Sequence, residues 1–557
     1  MKLKLCQRAG GKAYIAGSIG GMGSEYVLGL KAVNCQSGDT LAQEQVTAAS
    51  KEKVLDTLGG AASKLRTELG ESLASVKKFD VPLAEATTSS LEALKALSLG
   101  DKAYNEKGSI AASLPYDQRA IELDPNFAVG YYQVGMDYTG LSEVERGSEY
   151  FTKAFQLREH ASEWEKLAIG AAYYMNVTGE LDKAAQTFQE WIESYPRATS
   201  AHIALGLVCA EQGQYEKAME ITRQAVRLGR DRPDSYMNLP NYALALQRLD
   251  ETRQIIHEAQ TRKLDSVILH EDLYALAFLD ADSAAMAGQQ QWLAGKPEEN
   301  FGLSLASDTE AYAGHLLKAR ELTKQAVDSA LRADSRETGA IWQAIGAQRE
   351  AAYGNAAKAR QSAAEALKLA PTSRAVESEA ALAFAMAGDR VRTEPLAQDL
   401  AKRFPLDTQM RSLWLPAIQA QLALNKKKAA SALTALPAAS PIELGQIQFV
   451  ANISCLYPTY VRGEAYLAAG KGKAAADEFQ KVLDHSGIVW NCWTGALAHL
   501  GVARANALQS KTSQGADADA ARVRALTAYK DFLTLWKDAD SDIPILKEAK
   551  AEYVKLQ

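Results

Sequence analysis

Two hydrophobic periods follow one another along this chain. Within residues 12–46, apolar and small residues form two runs, Ala13-Tyr14-Ile15-Ala16-Gly17-Ser18-Ile19 and Tyr26-Val27-Leu28-Gly29-Leu30-Lys31-Ala32-Val33, on either side of Gly20-Gly21-Met22-Gly23. The pattern predicts two strands joined by a glycine turn. Gln36-Ser37-Gly38-Asp39 predicts a second turn, residues 40–47 a third strand and residues 51–69 a helix. Three strands and one helix enclose little core, so residues 1–78 read as a small, truncated α/β unit, the tail of a larger domain into which Met1 cuts.

Residues 79–94, with Pro82 and Thr87-Thr88-Ser89-Ser90, predict a linker. Beyond it the chain becomes alanine-rich and helical in period, with glycine at loop positions and proline after helices. Pro125 and Pro196 stand 71 residues apart and Pro371 and Pro405 stand 34 apart, which matches two periods and one period of a ~34-residue helical hairpin. The register continues inside the units. After Pro125 come Tyr131, Val134-Gly135, Tyr138, Gly147, Phe151 and Ala154; after Pro196 come His202, Leu205-Gly206, Cys209, Gly213, Tyr215, Ala218 and Ala225. Tyr236, Leu239, Ala243, Ile256 and Ala259 extend the series. Trp342, Ile345-Gly346, Phe384, Gly388, Arg462-Gly463, Tyr466, Gly470, Ala475 and Phe479 resume it. These segments resemble the tetratricopeptide repeat family. The resemblance implies a mainly α protein, a superhelical stack of helical hairpins forming an α-solenoid, with a first block at 95–290, an irregular helical connection at 291–335 and a second block with C-terminal capping helices at 336–557.

Three stretches depart from the pattern. Pro240 replaces a glycine inside a first helix and predicts a kink. Residues 280–308 lose register, and residues 511–519 read as an insertion in the last helical pair.

Composition narrows the function. The 557 residues are 47% hydrophobic and 23% charged, with 62 basic against 68 acidic side chains and no long run of one sign, which provides no footprint for a nucleic-acid backbone. Lys2, Lys4 and Arg8 are not followed by the unbroken apolar core of a signal peptide, and no stretch reaches the ~20 apolar residues of a membrane helix. Cys6, Cys35, Cys209, Cys455 and Cys492 are too few for a disulfide scaffold and form no CxxC pair. The favoured reading takes all five as reduced packing residues, with the pairs Cys6–Cys35 and Cys455–Cys492 left open.

No motif carries catalysis. Gly20, Gly21 and Gly23 fit neither GxGxxG nor a GxxxxGK[ST] loop, and Ser18 sits in a strand without the turn of a nucleophile elbow. Glu143 with Glu145, and Glu298 with Glu299, read as solvated helix faces. His257 and His270 each stand beside a glutamate without a metal-binding spacing and read as surface or capping residues. The sequence therefore predicts no catalytic residue, no cofactor and no metal. The stacked first helices predict a concave wall for a protein or peptide partner, with Tyr132, Met136, Leu207, Met237 and Asn241 as contacts. Their apolar character differs from the carboxylate clamp of chaperone-binding tetratricopeptide proteins.

A second resemblance rests on Cys6-Gln7-Arg8, Gly29-Leu30-Lys31-Ala32-Val33-Asn34-Cys35, Gly38-Asp39-Thr40-Leu41, Leu69-Gly70-Glu71-Ser72-Leu73 and, near the end, Asp531-Phe532-Leu533-Thr534-Leu535-Trp536. These are similar to the extracytoplasmic, repeat-bearing half of bacterial serine/threonine kinases of the acidobacterial kind. In that family a kinase domain and a membrane helix precede the region, which implies sensing or partner docking linked to a membrane kinase. The Gly-rich loop, HRD, DFG and VAIK motifs are absent here, so no kinase activity is expected of this chain. The expected function is a non-catalytic interaction scaffold, with the docking half of a split or truncated kinase as the alternative. The bare sequence points to the cytoplasm and the kinase context to the periplasmic side.

Overall fold

The computed structural model describes residues 2–8, 11–72, 76, 87–107, 110–230, 232–437, 441–447 and 454–557. The chain forms two compact units: Met1–Leu141 with Arg146–Val177 and Gln186–Ala198, and Ser142–Glu145 with Thr178–Ala185 and Thr199–Gln557. Residues 79–86 of the expected linker lie outside the described residues.

The smaller unit opens on a helix, Lys2–Arg8, and an antiparallel sheet of β1 (Ala13–Met22), β2 (Glu25–Asn34) and β3 (Thr40–Ala48) in the order β1-β2-β3. The first turn is shorter than predicted. Met22 pairs with Glu25, so β1 runs through Gly20 and Gly21 and the chain reverses on Gly23-Ser24 alone. Gly23 is the residue there with positive φ, +66°, whereas the two earlier glycines accept extended backbone. At the second turn the Asn34 side chain accepts from the amides of Gln36 and Ser37, at 2.8 and 3.2 Å, and Gly38 takes φ +80°. The helix Val54–Glu68 covers β2 and β3, burying Val54 with Leu28 and Ala48, and Leu65 with Ala32 and Ala42. The structure bonds Cys6 to Cys35, which ties the first helix to the end of β2.

Helical hairpins then follow in both units. In the smaller unit the helix Ala128–Gly140 begins its repeat, with Phe127, Phe151 and Ala154 fully buried. In the larger unit Thr199–Glu211 pairs with Tyr215–Leu228, and the alternation continues through Arg336–Ala352 with Ala356–Leu369 and Arg374–Met386 with Arg390–Arg403 to Tyr457–Ala468 with Gly472–Asp484. Glycine ends the first helix where the register places it: Gly213, Gly388 and Gly470 have φ of +75°, +73° and +74°. Between residues 280 and 308 the chain forms the helices Ser283–Leu293 and Glu299–Tyr312.

Three expectations are corrected. Pro240 does not kink a helix. It occupies the first turn of a short one, Leu239–Ala245, where a missing N–H leaves no bond unmade. Residues 511–519 are no insertion: two long helices, Trp493–Thr512 and Gly515–Leu535, meet at Ser513-Gln514. Cysteine usage differs as well. Besides Cys6–Cys35, Cys455 bonds to Cys492, and Cys209 is the one free, buried thiol. Sequence spacing could not bring 455 and 492 together; the close approach of their two loops does.

Candidate functional site: the first-helix walls of the repeats

Close helix approach in several hairpins is set by a glycine on the first helix facing a side chain of the second. A Cβ on Gly135 would stand 2.8 Å from the Phe151 ring, and one on Gly206 would meet the Thr222 hydroxyl and the Ala218 carbonyl. Gly463 faces Phe479 in the same way, again at 2.8 Å, and Gly501 reaches the same ring at 2.5 Å. Ala154, Ala218, Ala225 and Ala475 are fully buried. The predicted register thus holds atom by atom at these positions, and dispersion contacts across them close each pair.

The wall carried by the first helices differs between the units. On Ala128–Gly140, Tyr132 and Met136 are one turn apart. Met136 is 42% exposed, whereas Tyr132 is half-buried with its ring 6.0 Å from that of Phe151, and burial pushes its hydroxyl up to about 12. In the larger unit, Leu207 on Thr199–Glu211 and Met237 before Leu239–Ala245 are both half-buried. Asn241 is 2% exposed.

Farther along the larger unit, first helices are covered on every side. Every residue from Ser373 to Ala385 is buried, as is every residue from Ser454 to Gly463. A helix in a two-layer stack normally hides one stripe. Here the other stripe packs inward, and it is polar. Arg374 Nη1 lies 2.6 Å from Asp407 Oδ2, and Ser373 Oγ donates to Glu337 at 2.6 Å. Arg349 pairs with Asp308 and donates to Thr323 at 2.7 Å. Gln348 donates to Glu379, which also accepts from the Tyr457 hydroxyl at 3.4 Å. Arg462 holds Glu443 through both oxygens, at 2.6 and 2.9 Å, and Glu478 at 2.7 Å.

Burial dominates the acidity of these groups. It pushes Glu379 and Glu271 up to about 8, Glu337 up to about 7, and Asp308 up to about 6. Glu211, 1% exposed, is raised to about 8 by burial and then by the Asp407 charge. Glu143, expected on a solvated face, is 3% exposed and accepts from the Glu337 amide at 3.0 Å. His270, expected as a surface or capping residue, is 7% exposed, stacked on Trp292 at 3.5 Å and bonded to Gln289 at 2.6 Å. Both are wrong for one reason: local sequence cannot show which wall folds back over a residue. A signal existed, since Glu271-Asp272 and Glu377-Ser378-Glu379 interrupt helices whose other residues are mostly apolar.

Chemically, the Arg374, Arg349 and Arg462 clusters are engaged internally, whereas both side-chain oxygens of Glu211 are buried without a hydrogen bond among the described residues. Among the described residues no three His, Cys, Asp or Glu side chains converge where a metal ion could sit, and no helix is long and apolar enough to cross a membrane.

The sequence pattern of the tetratricopeptide repeat matches residues 199–231, the hairpin in which Gly206 faces Thr222. Over 111 residues, 20% of this chain, the sequence is 29% identical to anaphase-promoting complex subunit 3 of Schizosaccharomyces pombe, and the match spans 16% of that subunit. Over 158 residues, 26% of the chain, it is 25% identical to the photosystem I assembly protein Ycf3 of a Synechococcus strain, of which it covers 86%. Among solved structures, yeast Tom70 aligns with 83% of this chain and 96% of its own at 13% identity and a TM-score of 0.29; the tetratricopeptide protein YrrB aligns with 32% and 89% at 16% identity and a TM-score of 0.21. Helical hairpins in this register make the chain a tetratricopeptide-type repeat protein with a small antiparallel sheet at its start.

Proposed function

We propose that this protein is a non-catalytic scaffold that docks a protein or peptide partner on exposed first-helix faces of its repeats. The contacts are Tyr132 and Met136 in the smaller unit, and Leu207 and Met237 in the larger, where Asn241 is buried. The carrying observation is a contrast in burial. The helix Ala128–Gly140 leaves Met136 42% exposed beside two half-buried tyrosines, whereas the helix Arg374–Met386 leaves nothing open from its start to Ala385. An apolar side chain left in water on a face flanked by aromatic rings suits the side chains of an extended segment or a partner helix. A photo-crosslinking residue at Met136 should give a discrete polypeptide adduct that the same residue at Val391, 83% exposed, does not. Equal labelling at both sites, or ATP turnover by the purified chain, would overturn the reading.

A second, finer reading is the docking half of a split or truncated serine/threonine kinase on the extracytoplasmic side of a membrane; the two disulfides support its oxidising compartment, and the kinase link rests on the sequence resemblance alone. Trapping thiols in living cells tests it. Bonds intact in the trapped chain, together with co-purification of a membrane-anchored kinase, support it; four alkylated cysteines at those positions refute it.

A further inference from the structure

Among the described residues nothing pairs with the outer side of β1 in the smaller unit, and the geometry points to a second copy of this chain as what covers that edge. We propose that β1 pairs antiparallel with β1 of another molecule about a two-fold axis at Gly17, joining two three-stranded sheets into one of six.

Three observations carry this. β1 is an edge strand: the order is β1-β2-β3, and among the described residues no backbone bond reaches its outer side. Its ten residues, Ala13–Met22, hold no charged side chain and no proline, and they pair with β2 in unbroken register. Exposed edges are ordinarily blocked by charge, proline or a bulge, and a long edge without them is a template for another strand. Thirdly, Ile15 and Ile19 point to the same face as Leu28 and Ala32, their partners on β2, which the helix Val54–Glu68 covers. That helix stops short of β1 and leaves both isoleucines 61% exposed.

The register is fixed by the existing ladder. The Cys35 amide donates to the Lys12 carbonyl at 3.0 Å, and Met22 closes a two-residue turn with Glu25, so Lys12, Tyr14, Ala16, Ser18, Gly20 and Met22 turn their backbone bonds toward β2. Ala13, Ile15, Gly17, Ile19 and Gly21 turn theirs outward. An antiparallel pair of identical strands joins outward residues to outward residues, and an axis at Gly17 sets Ile15 of one copy opposite Ile19 of the other, twice. The four isoleucines then meet across the axis, while the glycine at its centre puts no side chain between the strands. A C2 contact needs this self-complementarity, and a neutral strand meets its own copy without charge repulsion.

Analytical ultracentrifugation of the full chain across a wide range of concentration tests the pairing. The wild type should show a monomer–dimer equilibrium. Ile15→Lys with Ile19→Lys sets like charges opposite each other and should raise the dimer dissociation constant by about tenfold or more. Ile15→Lys with Ile19→Glu sets each new ammonium opposite a new carboxylate and should restore the dimer. Far-UV circular dichroism should stay unchanged in both, because the side chains are exposed in one copy. Gly17→Cys should cross-link two chains at the axis on mild oxidation. A wild type that stays monomeric, a double-lysine variant that dimerises as well as wild type, a charge-swapped variant that behaves like it, or no Gly17→Cys cross-link would each overturn the proposal.

Discussion

Arg374 meets Asp407 across 2.6 Å in the interior of the larger unit, where Arg374 is 3% exposed and Asp407 is 5%. The other Asp407 oxygen accepts from the Met410 amide at 2.7 Å, so the carboxylate fixes both a side chain and the start of the next helix. Removing one partner strands the other charge away from water. Asp407→Leu should lower the stability of the larger unit by about 3–5 kcal/mol, and Arg374→Met with Asp407→Leu by clearly less than the sum of those two single changes. Urea midpoints of the four proteins decide it; additive losses would mean that the pair is not coupled.

In the smaller unit Asp117 and Asp137 are fully and almost fully buried, and Ser113 donates to Asp137 at 3.3 Å. Burial first, and then the neighbouring Asp137 carboxyl, push Asp117 up to about 9; burial pushes Asp137 up to about 6. In the unfolded chain both lie near 3.9. Raised folded values mean that their contribution is fully present below about pH 4 and is lost as pH climbs through about 6 and then about 9. Melting temperature recorded from pH 5 to alkaline pH should therefore fall, and Asp117→Asn should flatten the alkaline part of the fall. A flat wild-type profile would contradict the raised proton affinity of the two buried carboxyls.

Phe479 is held between Gly463 and Gly501, whose added Cβ atoms would lie 2.8 and 2.5 Å from ring carbons. Gly463→Ala should destabilise the larger unit by about 1–3 kcal/mol through overpacking. Gly288, with nothing within 4 Å of an added Cβ inside the helix Ser283–Leu293, is the control, and Gly288→Ala should stabilise by about 0.5–1 kcal/mol. Opposite signs in thermal denaturation are the expected result.

Cys455 and Cys492 close a separation of 37 residues, and each stands just before a buried first helix. Cys455→Ser with Cys492→Ser should cost about 2–4 kcal/mol of stability. Alkylation of the oxidised, denatured chain should add one label, at Cys209, whose thiol burial keeps protonated in the native fold. Mass spectrometry before and after reduction counts the labels.

Much of the fold was legible because its determinants are local in sequence. Gly135 and Phe151, Gly206 and Thr222, Gly463 and Phe479 sit 16 residues apart in each case, a spacing that the hairpin imposes and that any chain of this register shows. The three strands were legible from their own runs; the length of β1 was not, because Gly20 and Gly21 suit a turn or a strand and the pairing of Met22 with Glu25 decided between them. Of the candidate contacts, Met136, Leu207 and Asn241 share one repeat position, with Tyr132 and Met237 one turn earlier, yet exposure at that shared position runs from 42% at Met136 to 2% at Asn241.

Periodicity and small-residue spacing, which act between neighbours in the chain, determined the helical hairpins, their stacking and the glycine turns. Distant contacts decided the rest: which first-helix faces stay open, which carboxylates lose water, and which cysteines meet. Glu143 bonds to the amide of Glu337, and Asn491 to the carbonyl of Leu305 at 2.8 Å. Partners separated by nearly two hundred residues leave no mark in local sequence, since a solvated glutamate and a buried one are the same letter until another part of the chain removes the water.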